Sequence, residues 1–251
     1  MHFTVSIQDK SYQGDLKHPI DISIPIVEEE HAVNCFYAPF VEFSPVRSGN
    51  FVGSTKEGGL VNFMNVRINP HGNGTHTECV GHIAKESFTI NQCLQQFHFT
   101  AKLISLYPQQ NENGDRIIEK EQIQDCFKVG ETDALIIRTL PNDDRKLRMN
   151  YSGSNPPYVR HDAIKYMVDS GVQHLLIDLP SVDREEDEGQ LLAHKAFWEY
   201  PNNTQSNRTI TELIYVPEYV RDGYYLLNIQ IASFELDVSP SKPILFPLTN
   251  A

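Results

Sequence analysis

The sequence predicts an α/β fold with a mixed sheet, and three observations carry that expectation. Buried-type strands alternate with helical segments through the middle of the chain, and strand patterns dominate both ends. The length, 251 residues, fits a single domain spanning residues 1–251, with no linker-like stretch to divide it. The 40% apolar and 22% charged content is that of a globular protein able to bury a core without disulfides.

The elements follow in order. Residues 21–26 (DISIPI) alternate polar and branched apolar side chains, the period of a half-buried strand. Residues 60–68 (LVNFMNVRI) predict a longer strand that runs into turn residues at 70–74. Residues 101–107 (AKLISLY) predict another strand. Helical spacing of Ile118, Ile123 and Phe127 predicts a helix over 118–127, stopped by Gly130. ALIIRT at 134–139 has the continuous apolar run of a strand buried on both faces. Beyond Pro156-Pro157, the apolar set Ala163, Ile164, Met167 and Val168 predicts a helix ending at Gly171. HLLIDL at 174–179 is the next buried strand, followed by an acidic loop and a short helix through Trp198. ITELIYV at 210–216 and YYLLNIQIASF at 224–234 close the chain as strands. The acidic runs at 28–30 and 185–188 read as solvated loop faces.

A formal net charge of −12 makes nucleic acid or an anionic membrane an unlikely general partner; a small-molecule substrate is the partner expected. No run reaches the roughly 18 apolar residues of a membrane span. The opening MHFTVSIQDK lacks the basic and apolar regions of a secretory signal, so a cytoplasmic location is expected. Cys35, Cys79, Cys93 and Cys126 show neither paired metal spacing nor a disulfide framework.

Chemistry concentrates in His71-Gly72-Asn73-Gly74-Thr75-His76-Thr77-Glu78-Cys79-Val80-Gly81-His82. His76, Glu78 and His82 are separated by even numbers, so in an extended segment they share one face. Imidazole and carboxylate groups converging in this way suit zinc or manganese. Gly72 and Gly74 let the backbone turn sharply beside a small ion.

This segment resembles the signature of the cyclase/kynurenine formamidase family, H-x-G-T-H-x-D-x-P-x-H. Gly74-Thr75-His76 matches its centre and His82 its last histidine. IEKEQIQDCFKVGETDALIIRT, the stretch from Pro157 to Asp183, Ala193-His194, Thr211-Glu212-Leu213 and DVSPSKPI at 237–244 resemble later family segments in the same order. The resemblance implies a swivelling β/α fold and a metal-dependent hydrolase of an amide, formamide or lactam, assembled as a homodimer or homotetramer. It implies divalent metal, Zn2+ or Mn2+, at a site for two ions. His71 and His76 would be ligands of the first ion, Glu78 the bridging carboxylate, and His194 a ligand of the second, with Glu212 completing the set. His82 would donate and accept the proton. Asp183 would orient rather than react, and DVSPSKPI would form a closing turn.

Three departures stand out. His71 lies five residues before His76 where the family spacing is four, Glu78 replaces an aspartate, and Val80 replaces a proline. A bulge or tight turn at 72–74 would absorb the extra residue and return His71 to the site. The tryptophan that family formamidases carry near the N-terminus has no counterpart, since Trp198 is the only one present. Phe36 and Tyr37 could offer an aromatic wall instead, with core packing expected for at least one. Two other functions fit the same residues: a lactonase or cyclase acting on another carbonyl compound, and a metal-containing binding protein without turnover.

Overall fold

The computed structural model describes residues 1–251. Seven strands close on themselves: β1 (His76–Glu78), β2 (His98–Leu106), β3 (Ala134–Thr139), β4 (His174–Ile177), β5 (Thr209–Glu212), β6 (Gly223–Ile231) and β7 (Val238–Pro247). Around the ring the order is β6-β2-β3-β4-β5-β1-β7, and β7 pairs back onto β6. The pairs β2–β3, β3–β4 and β4–β5 are parallel, and the other four are antiparallel. The expected mixed sheet is therefore present, closed into a barrel-like ring. Ile20–Asp21 adds a short edge strand to β7. An N-terminal hairpin, His2–Ile7 with Lys10–Asp15, packs outside the ring and is joined by Thr249–Asn250.

Alternation along β3 explains how the ring is held. Leu135 and Ile137 point outward into a cluster with Ile164, Met167, Phe197 and Trp198. Ala134 and Ile136 point inward, with Leu103, Leu176 and Leu227. A parallel strand covered on both faces needs apolar side chains on both, and β3 supplies them from Ala134 to Ile137. Each fully buried Leu, Ile or Phe stabilises by about 1.5–3 kcal/mol. Three helices cover the outer face: α1 (Lys120–Cys126), α2 (His161–Asp169) and α3 (Leu192–Trp198). No helix is long and apolar enough to cross a membrane.

The structure shifts several expected boundaries. At 118–127 a short strand, Arg116–Ile118, precedes α1, so the helix is shorter than its apolar spacing predicts. The strand predicted at 60–68 is confined to Met64–Arg67, where every residue is exposed, and it pairs with Glu42–Pro45 outside the ring. The run at 21–26 leaves the sheet after Asp21 and keeps only a bridge from Ser23 to Ile214. The residues expected as a closing turn, 237–244, instead enter the ten-residue strand β7.

Candidate metal centre

Strand register assembles the centre. In the antiparallel β1–β5 pair, His76 lies opposite Glu212. On the other side of β1, Glu78 lies opposite Val238, so Asp237 arrives immediately beside it. His194 comes from the first turn of α3. Asp183 positions that turn from the preceding loop, accepting hydrogen bonds from the Ala193 and His194 amides at 2.7 and 3.1 Å. A carboxylate satisfying free amides at a helix start is a capping interaction made across the loop. Trp198, one turn along the same helix face, lies with its ring 5.5 Å from that of His194 and is itself buried, donating to the Arg208 carbonyl.

The turn expected at 72–74 is present. Gly72 and Asn73 donate to the Asn69 carbonyl at 3.2 and 3.1 Å, and the Asn73 side chain accepts from the Asn69 amide. Gly72 packs so tightly that a Cβ there would stand 2.3 Å from the Ala38 methyl. The Cys35 thiol donates to the His71 carbonyl at 3.3 Å, tying residue 71 to the N-terminal segment. The extra residue is thereby absorbed, and His71 faces the site with Nδ1 3.2 Å from Glu78 Oε2. His82 arrives differently from the expected extended segment. Only His76–Glu78 is strand; Val80–His82 forms a 3-10 turn that carries the ring back toward Glu78, 3.7 Å from its Oε2.

All six residues singled out in the sequence thus come together, and one more joins them. Asp237 Oδ2 lies 2.9 Å from His71 Nε2 and 3.5 Å from His82 Nδ1. Sequence pattern alone gave it no distinction; only its register beside Glu78 reveals it. Phe36 and Tyr37 are both exposed and both left-handed, at φ 56° and 54°, so neither packs in the core as expected. They follow Cys35 directly and are held where the Tyr37 amide donates to Ser152 Oγ at 2.9 Å.

Proton positions follow from the partners. His76 Nδ1 lies 2.9 Å from the Gly74 carbonyl, which can only accept, so Nδ1 carries a hydrogen and Nε2 is turned toward the site. That Nε2 is buried without a hydrogen-bond partner, although Glu212 Oε2 stands 3.3 Å away. His194 repeats the arrangement, with Nδ1 2.6 Å from Asp183 Oδ2 and Nε2 3.2 Å from Glu78 Oε1. Glu78 Oε2 is likewise buried without an aligned partner. Burial opposes charge on Glu78, but His82, His194 and His71 outweigh it and hold its carboxyl well below the ordinary range. Burial also opposes the charged form of His71, yet Asp237 and Glu78 raise it to about 10. His194 is raised to about 10 against burial by Asp183, Glu78 and Glu212.

Buried imidazole nitrogens converging on buried carboxylates, with His76 Nε2 and Glu78 Oε2 left unpartnered, are a donor set that fits a divalent cation. Three overlapping groups have donor atoms close enough to share an ion: His71–His76–Glu78, Glu78–His82–His194 and His71–His82–Asp237.

The Cyclase family model matches residues 14–184, the part of the chain that carries His71, His76, Glu78 and His82. The chain belongs to the Cyclase family. Among its relatives, the kynurenine formamidase of Bacillus thuringiensis (strain Al Hakam) is 25% identical over 197 residues, which cover 78% of this chain and 85% of the relative. A solved structure described as a potential metal-dependent hydrolase with cyclase activity superposes with a TM-score of 0.66 at 17% identity, covering 91% of this chain and 97% of that chain. Isatin hydrolase A from Ralstonia solanacearum superposes with a TM-score of 0.65 at 12% identity, covering 91% of each chain. These structural likenesses establish the shared fold.

Proposed function

We propose that this protein is a metal-dependent hydrolase of a non-peptide amide, with an aryl formamide or an aryl-fused lactam as substrate. The observation that carries the reading is the pair His76 and His194. Each has Nδ1 fixed by an acceptor and Nε2 aimed at Glu78 or Glu212 in a buried pocket. Such acceptors fix the tautomer and ring orientation of metal-binding histidines. The kynurenine formamidase relative and the isatin hydrolase fold supply the choice of amide.

In this reading His71, His76 and Glu78 hold one ion, and His194 and Glu212 hold a second with Glu78 shared. Nitrogen and carboxylate donors suit zinc or manganese. A divalent ion there supplies Lewis-acid polarisation of a carbonyl oxygen and acidifies water. The carboxylates Glu78 and Glu212 offset that positive charge. Asp237 and Glu78 stand on the Nδ1 side of His82, at 3.5 and 3.7 Å, which leaves its Nε2 to carry a proton to the leaving nitrogen. Phe36 and Tyr37, exposed beside the turn that bears His71, offer an aromatic ring a stacking face.

Elemental analysis of the purified protein, followed by assay of formanilides, isatin and a lactone series with the identified metal restored, tests the proposal. Stoichiometric metal with turnover of a formamide or lactam is the expected result. Metal-free protein that binds no divalent ion would overturn the metal reading. A metal-loaded enzyme that cleaves only lactones would overturn the amide assignment.

A further inference from the structure

A cavity of about 980 Å³ opens at the carboxyl ends of β2, β3 and β4, bounded by Tyr107, Thr139 and Leu179. None of its lining residues belongs to the metal-ligating groups. In sheets with parallel strands, ligands bind outside the carboxyl ends of the strands, and a cavity of this size accommodates a drug-sized molecule. Its walls are largely apolar, with Leu140, Met149 and Pro156 among them.

The charges on those walls run against the chain. The molecule as a whole carries −12, yet the cavity is lined by Arg116, Arg145, Lys146 and Arg148 against only Asp143 and Asp144. Two of the cations are spoken for. Lys146 Nζ lies 2.7 Å from the buried Asp178 and also donates to the Thr139 carbonyl at 2.6 Å. Arg145 pairs with Asp143 at 2.7 Å. Arg116 donates only to the Asn155 carbonyl, at 3.3 Å, and Arg148 extends from the end of a 3-10 turn with no carboxylate partner. Two guanidinium groups without counter-ions beside an apolar wall match a planar carboxylate on an apolar body.

We propose that this cavity is a second binding site, separate from the metal centre, for a small organic carboxylate with an aromatic or branched apolar body. Arg148 and Arg116 take the carboxylate, and the apolar wall takes the body. The proposal does not depend on the metal centre being catalytic.

Isothermal titration with 1-naphthoate, and with uncharged 1-naphthamide, on metal-loaded and chelator-stripped protein tests it. The expected result is binding of 1-naphthoate in both forms, with 1-naphthamide weaker by about tenfold or more. Arg148→Glu and Arg116→Glu should each weaken 1-naphthoate by a similar factor while metal content and circular dichroism stay unchanged. Both side chains are exposed, so neither substitution disturbs a packed core. Absence of 1-naphthoate binding, affinity unchanged in both variants, or binding lost on metal removal alone would overturn the proposal.

Discussion

The floor of the metal centre and its rim use the same residue types in opposite surroundings. On the floor, His76, Glu78, His194 and Glu212 have side chains at most 4% exposed. On the rim, His71, His82 and Asp237 are 25%, 31% and 30% exposed. Water can solvate the rim charges and exchange their protons, whereas floor charges must be matched by protein or by an ion. The floor is therefore suited to holding an ion, whereas on the rim His82 is suited to moving protons and His71 must shed one to join the floor as a ligand. The largest effect that could break this division comes from Glu78→Ala. Glu78 approaches three of the histidines, so its loss should abolish stoichiometric metal binding. The metal-free protein should also be less stable, because His71, His82 and His194 lose the buried carboxylate they share while Asp183 still faces His194. Metal analysis and chemical denaturation read both. Full metal occupancy would show that the floor does not hold the ion.

On the rim, His82→Ala should leave metal content unchanged and lower kcat by roughly 10²–10⁴-fold, the span of general acid–base catalysis. A variant that loses its metal instead would move His82 to the floor. Turnover at the normal rate would remove it from proton transfer altogether. One shell below the floor, Asp183→Asn keeps an acceptor for the α3 amides but removes the charge that fixes His194 Nδ1. Loss of such an orienting partner typically costs 10–100-fold in metal affinity. Chelator competition measures it, and an unchanged affinity would mean that α3 alone positions His194.

Floor and rim also differ in how much of each the sequence reveals. His76 and Glu78 are legible because two residues of a strand two apart share a face, and β1 is a strand at those positions. His82 sits at the right count for the wrong reason, since a 3-10 turn brings it back. Asp237 is illegible because it is defined by pairing with a strand some 160 residues away, a relation no local period encodes. The same contrast runs through the fold. β3 is read residue for residue, because burial on both faces forces an unbroken apolar run. The closing turn that the family resemblance implies at 237–244 is instead strand β7, which carries Pro240, Pro243 and Pro247 although proline normally argues against an interior strand. The opposite case occurs at 60–68, where the residue pattern suggests a longer strand. The four that form one lie exposed on a two-stranded ribbon, away from the sheet.

The smallest expected effect belongs to Asp237→Asn, and it sharpens the rim most finely. Burial disfavours the charged form of His71, while Asp237 and Glu78 favour it and leave it at about 10 in the metal-free protein. Because that value lies above the ordinary histidine range near 6.5, the protonated ring stabilises the metal-free fold fully below about pH 6.5. The contribution fades as pH rises through about 10. Asparagine keeps an oxygen for hydrogen bonding and removes the charge. A pair this exposed is partly screened, so its Coulombic share is worth about 1 kcal/mol or less, which is under roughly one pKa unit. Imidazole titration by NMR on metal-free protein should therefore show His71 lowered by up to about one unit in Asp237→Asn. The stability deficit of the variant should be present at neutral pH and close on the alkaline side. With His71 as a ligand, as proposed, its ring nitrogen must be unprotonated, so uptake at neutral pH should expel the His71 proton, and calorimetry in buffers of different ionisation enthalpy counts it. A His71 titration unmoved by Asp237→Asn would assign the proton to Glu78 instead and make the floor, not the rim, its keeper.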